Sequence, residues 1–554
     1  MNIKLVVVII FLIGRIGVLD AEDNFIFPAP MERTDINQKF IIDSNTYLVV
    51  PNKGDKGFQD IAVLLQEEIK RYCGVELKIK EEKGIGGSKG AILLGLLPDS
   101  KLIERNIVAV KINPVKKLEG YVLYVDKNIA LVGGADVRGV YYGVLTLLQR
   151  IYKDSNVYIA GTKIRDWPHF EYRAMRLSLP RGKPRKGETD KSYFKNFLRA
   201  LSFFKMNYAM IEGFPWAVPL KKRPGLNWHD PLTLEEVKEI NAYGNKYFLK
   251  MCPTIASAPA AWAVRFYPQL IEVAEGEDPQ NLKTWGYRKG KEANRQNLCP
   301  SNEESYKLLF DIYDEMTGMF NGDVVNIGID EVHHEGAGSR WAVCDRCKNK
   351  DPVKLFADFV NRLSRYIIKK GKTPIINSTV LIKEHGGYFK DLYKAADLIR
   401  KDVIISNWSE THIRHGKGSG KVEGFKSTEY FKNKGFKKII HLVSAGANWN
   451  DREELKEVRG KLDAYGVVVA HYSGMNFETL NNNGTLRELI FSAENIWSPD
   501  LPAMGSEDEK KQLGYAYTML REILLNNKMF MEAIEVGRAK QQNPAGKGKG
   551  AEFH

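Results

Sequence analysis

Only five cysteines occur in 554 residues. That excludes a disulfide scaffold, the device of small secreted domains that cannot build a sufficient core. The chain also lacks any run of five or more like charges. Its 82 Lys and Arg residues are interleaved with 68 Asp and Glu, so the net charge of +14 is spread along the chain. A basic arm or stripe would mark a nucleic-acid site; none is present, and no nucleic-acid partner is expected. Beyond residue 21 there is no apolar stretch long enough to span a bilayer. The turn at Gly133-Gly134 is not followed by G-x-G-x-x-G, so no dinucleotide loop is expected. What remains is a globular composition, 44% apolar and 27% charged, with no cofactor or metal implied.

The first residues carry a different signature. Lys4 precedes the apolar run from Leu5 to Gly14, Arg15 interrupts it, and Ala21 stands before Glu22. A basic residue, a short apolar run and a small residue at the end predict a signal peptide over residues 1–21, with a retained lipid-facing anchor as the alternative. Export follows as an expectation: a secreted or periplasmic protein.

Residues 26–165 read as a small α/β domain. Strands are expected at Thr46–Val50, Leu77–Lys80, Ala91–Leu94, Val108–Ile112, Tyr121–Val125 and Ile129–Val132, with helices at Phe58–Tyr72 and Val137–Tyr152. Asp166-Trp167-Pro168 breaks the pattern and marks a domain boundary. From there to residue 500, strand and helix alternate. The strands are Arg173–Leu179, Asn207–Ile211, Phe248–Ile255, Val324–Ile329, Pro374–Ser378, Val403–Asn407, Lys438–Val443 and Val467–His471. Eight such units over this length fit a (β/α)8 barrel, with an open doubly wound sheet as the alternative. Residues 501–540 read as terminal helices. Residues 541–554 read as a disordered Gly/Lys tail.

In a barrel the chemistry sits where the strands end. Strand four ends in Asp330-Glu331, followed by His333 and His334, read as a loop lining the cleft. Strand six ends in Asn407-Trp408. Strand seven leads to Asn448 and Trp449, strand eight ends in His471-Tyr472, and Arg173 opens strand one. Carboxylates, aromatic faces and hydrogen-bonding groups together suit a sugar, whose C–H surfaces stack while its hydroxyls are bonded. Two adjacent carboxyls cannot both ionise freely. One can hold a proton for a leaving oxygen while the other stabilises positive charge. Asn377-Ser378-Thr379 fits a glycosylation sequon but falls at a strand end inside the mouth, so it is not read as one.

The residues carry a resemblance. Gly328-Ile329-Asp330-Glu331 is similar to the strand-four signature of glycoside hydrolase family 20, the β-N-acetylhexosaminidases. Gly120-Tyr121, the Gly139-to-Gln149 segment, Tyr172-Arg173 and Ala493-Glu494-Asn495-Ile496-Trp497-Ser498 follow the family's order. The resemblance implies a terminal N-acetylhexosamine of a glycan or glycoconjugate as substrate, cleaved with retention by attack of its own 2-acetamido oxygen. It implies Asp330 as the residue that orients the acetamido group, Glu331 as general acid and base, and Trp408 as a wall of the acetamido pocket. It implies Arg173 as a binder of the terminal sugar's hydroxyls. Asn448, Trp449 and Tyr472 at the mouth are further candidate sugar-binding residues, Asn448 standing near the place of a family Tyr and Tyr472 near that of a family Trp. The family's Asp after strand one is Ser178 here, and its His-Trp-His stretch after strand two is replaced around Met210-Ile211-Glu212. A barrel glycosidase for another sugar, or a silent glycan-binding protein, are the alternatives. The oligomeric state is left open.

Cys344-Asp345-Arg346-Cys347 stands apart from these motifs. A single CxxC is compatible with a metal shared with Cys299, Cys252 or His333, with a disulfide, or with unlinked thiols.

Overall fold

The computed structural model describes residues 25–498 except 53–55, 86, 98, 184–190, 215–216, 228–229, 259, 261–266, 268–296, 331, 334–338, 343, 384–390, 408–425, 445–454, 456–462 and 471–484. The expected signal peptide, terminal helices and tail lie outside the described residues. The described chain groups into two compact units, one up to His169 together with Trp497–Ser498, the other Phe170–Ile496.

The first unit is built on an eight-stranded sheet. Its strands are β1 (Glu32–Ile41), β2 (Tyr47–Val50), β3 (Lys78–Glu81), β4 (Ala91–Leu96), β5 (Tyr121–Val125), β6 (Ile129–Gly134), β7 (Ile151–Lys153) and β8 (Val157–Asp166). The helices are α1 (Lys56–Cys73), α2 (Lys101–Ala109) and α3 (Val137–Leu148). The strand expected at Val108–Ile112 is instead the end of α2 and the turn after it, where Lys111 takes a positive φ of 54°. The second expected helix stops at Leu148, and Ile151 begins β7. Helix α3 is buried from Gly139 to Leu148. Asp136 caps it, accepting from the Gly139 amide at 2.8 Å, while its other oxygen accepts from the Glu119 amide. A Cβ at Gly139 would stand 2.2 Å from the Gly120 carbonyl oxygen, so the two glycines permit the helix to lie directly on the chain. The Tyr121 hydroxyl donates to Asp166 at 2.6 Å, and the Trp497 indole donates to the same carboxylate at 2.9 Å. That shared acceptor gives Tyr121, Asp166 and Trp497 a common structural role.

The second unit is a closed barrel of eight parallel strands, as the alternation implied. They are β9 (Tyr172–Ser178), β10 (Tyr208–Phe214), β11 (Lys250–Ile255), β12 (Val324–Asn326), β15 (Thr373–Asn377), β16 (Ile404–Asn407), β17 (Lys438–Ser444) and β18 (Gly466–Ala470). Between β12 and β15 lies a small parallel pair, β13 (Val332–His333) and β14 (Ser339–Arg340). The outer helices include α4 (Lys191–Phe203), α5 (Leu234–Lys246), α6 (Glu303–Met319) and α7 (Pro352–Lys369). Thr233 and Glu236 close a capping box at the start of α5. Among the described residues no helix is long and apolar enough to cross a membrane.

Side chains alternate along each strand, so one parity fills the barrel. Tyr172, Ala174, Tyr208, Met210, Cys252, Val324, Ile375, Ile404, Ile440, Leu442, Val468 and Ala470 form that interior cluster. It draws on all eight strands, which makes the lower barrel a packed core rather than a channel.

Candidate active site

Continuing each strand two residues past the core keeps the same inward parity, now toward the C-terminal face. The chemistry changes there. Arg176 follows Ala174, Glu212 follows Met210, Thr254 follows Cys252, Asn326 follows Val324, Asn377 follows Ile375 and Ser406 follows Ile404. An apolar floor therefore gives way to a polar layer. Arg176 and Glu212 form an ion pair across neighbouring strands, with Nε donating to Oε1 at 2.7 Å. About a fifth of each side chain remains exposed, 22% for Arg176 and 24% for Glu212.

Strand β12 ends early, and the four residues after it build the turn that presents Asp330. The Asn326 side chain accepts from the Gly328 amide at 2.8 Å. Gly328 has φ +59°, and a Cβ there would stand 2.3 Å from the Ile255 carbonyl oxygen. The chain at this point needs both the left-handed backbone and the missing side chain. Ile329 then bridges to Ala258, and the Asp330 amide donates to the Ala258 carbonyl at 2.8 Å. The Asp330 carboxylate accepts a hydrogen bond from the Thr379 hydroxyl. Thr379 is buried in a short turn just past β15. Asp330 is thus fixed from two sides, its backbone by the loop after β11 and its carboxylate by the loop after β15. Below it, the Ser257 hydroxyl meets the Tyr313 hydroxyl at 2.6 Å, tying the same loop to α6.

Gly328→Ala should cost about 1–2 kcal/mol from the left-handed backbone alone. The clash with Ile255 would push the Asp330 turn out of place as well. Urea unfolding and steady-state activity, measured on one preparation, should show activity falling much further than stability. Thr379→Val removes one hydrogen bond to a charged acceptor, about 1.5–3 kcal/mol. The expected result is a kcat lower by at least about tenfold with KM nearly unchanged.

The predicted positions fare unequally. Asp330 stands at the C-terminal face, as the strand pattern required. Arg173 does not. It is the second residue of β9, at the opposite end of the barrel, on the outward parity next to the inward Tyr172 and Ala174. Its guanidinium is buried and donates to the Lys205 carbonyl at 2.9 Å and the Phe170 carbonyl at 2.7 Å. These bonds secure the loop ends at the bottom of the barrel, and Arg173 is withdrawn as a sugar-binding residue. Glu331, Trp408, Asn448, Trp449 and Tyr472 lie outside the described residues. Sequence reading missed Arg176 and Thr379 and saw Glu212 only as a departure. The parity set by Tyr172 and Ala174 was the available signal for Arg176.

The cysteines also separate. Cys252 belongs to the barrel core, where burial pushes its thiol up to about 12. Cys299, Cys344 and Cys347 instead converge from the segments before α6 and α7, their sulfurs all within 4.8 Å of one another.

Comparison with known proteins decides the family. The glycosyl hydrolase family 20 catalytic domain matches residues 170–426, and that family's domain 2 matches residues 23–167. The chain belongs to glycosyl hydrolase family 20. The two family 20 matches adjoin across residues 168–169, so they take in both the small domain and most of the barrel. A β-hexosaminidase of Porphyromonas gingivalis is 26% identical over 379 residues, covering 63% of this chain and 44% of that protein. One of Vibrio furnissii is 23% identical over 328 residues, covering 54% and 50%. The chain thus matches about half the length of these curated relatives. Among solved structures, the chitobiase of Flavobacterium johnsoniae superposes with a TM-score of 0.65 at 19% identity, covering 91% of this chain and 74% of that one. The β-N-acetylhexosaminidase of Bacteroides fragilis gives 0.63 at 16%, covering 90% and 96%. At those identities the likeness speaks for the fold.

Proposed function

We propose that the protein is an exported, exo-acting glycosidase that removes a terminal β-linked N-acetylhexosamine from glycans with net retention. The observation that carries this is the Asp330 carboxylate. It is held at the barrel's C-terminal face by Thr379 and by the turn through Gly328, with Glu331 next in sequence. Family 20 membership supplies the chemistry to which such a carboxylate is suited.

In this reading the substrate's 2-acetamido oxygen attacks the anomeric carbon as the glycosidic C–O bond breaks. Glu331 gives its proton to the departing oxygen. Asp330 accepts a hydrogen bond from the acetamido N–H and balances the charge of the oxazolinium that forms. Glu331, now a carboxylate, then takes a proton from water as that water attacks the same carbon and opens the ring. Two inversions give retention, and the catalyst returns to its starting protonation. Trp408, Asn448, Trp449 and Tyr472 remain the proposed sugar contacts.

A second reading, a barrel glycosidase for another sugar, is favoured by the Arg176–Glu212 pair in the polar layer and by Ser178 where the family has Asp. A panel of aryl β-glycosides separates the two. Turnover confined to N-acetylglucosaminide and N-acetylgalactosaminide supports the first. Equal turnover of glycosides without the 2-acetamido group supports the second. Glycan binding without turnover of any member contradicts both.

A further inference from the structure

Three cysteines from two separate loops meet at one point. Cys299 lies just before α6. Cys344 and Cys347 lie just before α7. The Cys299 sulfur is 3.5 Å from that of Cys344 and 3.6 Å from that of Cys347. A disulfide would require about 2.05 Å. A tetrahedral zinc ion with Zn–S bonds of about 2.3 Å holds its sulfurs about 3.8 Å apart. We infer that Cys299, Cys344 and Cys347 are thiolate ligands of a structural zinc ion.

The backbone around the pair fits this. The amides of Cys347 and Lys348 both donate to the Cys344 carbonyl at 2.8 Å, folding the CxxC into a tight turn that directs both sulfurs to one point. The surroundings fit a negatively charged cluster. Three thiols lose three protons to bind one Zn²⁺, leaving a net charge of −1. Ser301 Oγ lies 3.3 Å from the Cys347 sulfur and accepts from the Lys350 ammonium at 2.8 Å. The Cys347 thiol donates to that oxygen. Once the thiol loses its proton to the metal, the hydroxyl is the one group of the two that can donate, and it would turn its proton toward the thiolate. Such outer partners orient the ligands of a metal site. A soft all-thiolate set selects zinc over magnesium or calcium. Among the described residues no fourth His, Cys, Asp or Glu joins these three, and water would complete the tetrahedron. Cys252 is excluded by its place in the barrel core.

The site would have a definite mechanical effect. It would join the loop after β11 to the loop after β12. Those same two loops are already bridged by the Asp330 amide and the Ala258 carbonyl. The buried Trp341 anchors the second loop on α7, its indole donating to the Pro352 carbonyl at 3.1 Å and its ring meeting Phe356 and Phe359 edge-on.

The test uses the full chain without a histidine tag, purified without chelator. Elemental analysis should find about one zinc per chain. Thiol titration after denaturation with chelator and without reductant should count all five cysteines. Cys299→Ser and Cys344→Ser should each lose the metal, while Cys73→Ser keeps it. Ser301→Ala should weaken zinc binding by about tenfold, read by competition with a chromogenic chelator. Cobalt exchanged into the wild type should show the intense visible bands of a tetrahedral thiolate site. Should the serine variants fail to fold, the wild-type metal content and cobalt spectrum still decide. A metal-free chain that takes up neither zinc nor cobalt overturns the inference, as does a count of three thiols with no zinc, which would mean a disulfide. The outcome does not depend on which sugar the barrel cleaves.

Discussion

Replacing Glu331 with Gln is expected to lower kcat/KM for natural glycans by about 10²–10⁴-fold, the usual contribution of a general acid. Glutamine keeps the shape and removes the proton, so folding and sugar binding should persist. The loss should depend on the leaving group. An aryl glycoside with an acidic phenol departs with little help in the first step, whereas a sugar hydroxyl departs only when protonated. A series of aryl substrates of rising phenol pKa should therefore give a progressively larger ratio of wild-type to variant rate. A ratio that stays constant across the series would show that Glu331 is not the acid.

Asp330→Asn should have an effect of similar size with a different signature. The carboxylate is proposed to hold the acetamido N–H and to balance positive charge on the cyclising group. Both interactions strengthen as the oxazolinium forms, so they belong to the transition state more than to the ground state. Loss of one preorganised electrostatic partner in a closed site costs about 3–4 kcal/mol. kcat should fall by about 10²–10³ while KM changes little. Asparagine can still accept from Thr379 through its carbonyl oxygen, so the turn through Gly328 should stay folded. The companion Thr379→Val should give a smaller loss of the same kind. A rise in KM without a fall in kcat in either variant would assign these residues to ground-state binding instead.

Much of the architecture was legible in the chain. Most barrel strands carry a short apolar run, and those at Val467–Ala470 and Ile404–Ile405 are buried on both faces. The strands missed were the short β7, β13 and β14 and the longer β1 and β8, where Glu32, Arg33, Lys163 and Arg165 interrupt the apolar pattern. Strands β1 and β8 pair by backbone and by charges such as Arg165–Glu32, and only the first residues of β8, Val157–Ala160, are an apolar run. Asp330 is legible at the C-terminal face because it follows the expected strand Val324–Ile329. Arg173 was misplaced because its end of the strand decides its place: it is the second residue of β9, five residues before Ser178 at the strand's end. Thr379 was noticed only within a sequon, since its contact with Asp330 spans 49 positions and depends on the barrel closing. The partner of the CxxC stayed open among three candidates for the same reason. Cys299 is 45 positions from Cys344, and only the fold brings their sulfurs together.

Inhibition by a stable thiazoline analogue of the cyclised sugar bears most directly on whether the substrate supplies its own nucleophile. Inhibition constants would be measured for the thiazoline and for free N-acetylglucosamine, on the wild type and on Asp330→Asn. Transition-state analogues bind about 10²–10⁸-fold tighter than substrates. The expected result is wild-type inhibition by the thiazoline at least about 10²-fold stronger than by N-acetylglucosamine, with most of that advantage lost in Asp330→Asn. A thiazoline that binds the wild type no better than N-acetylglucosamine would contradict substrate assistance in this barrel.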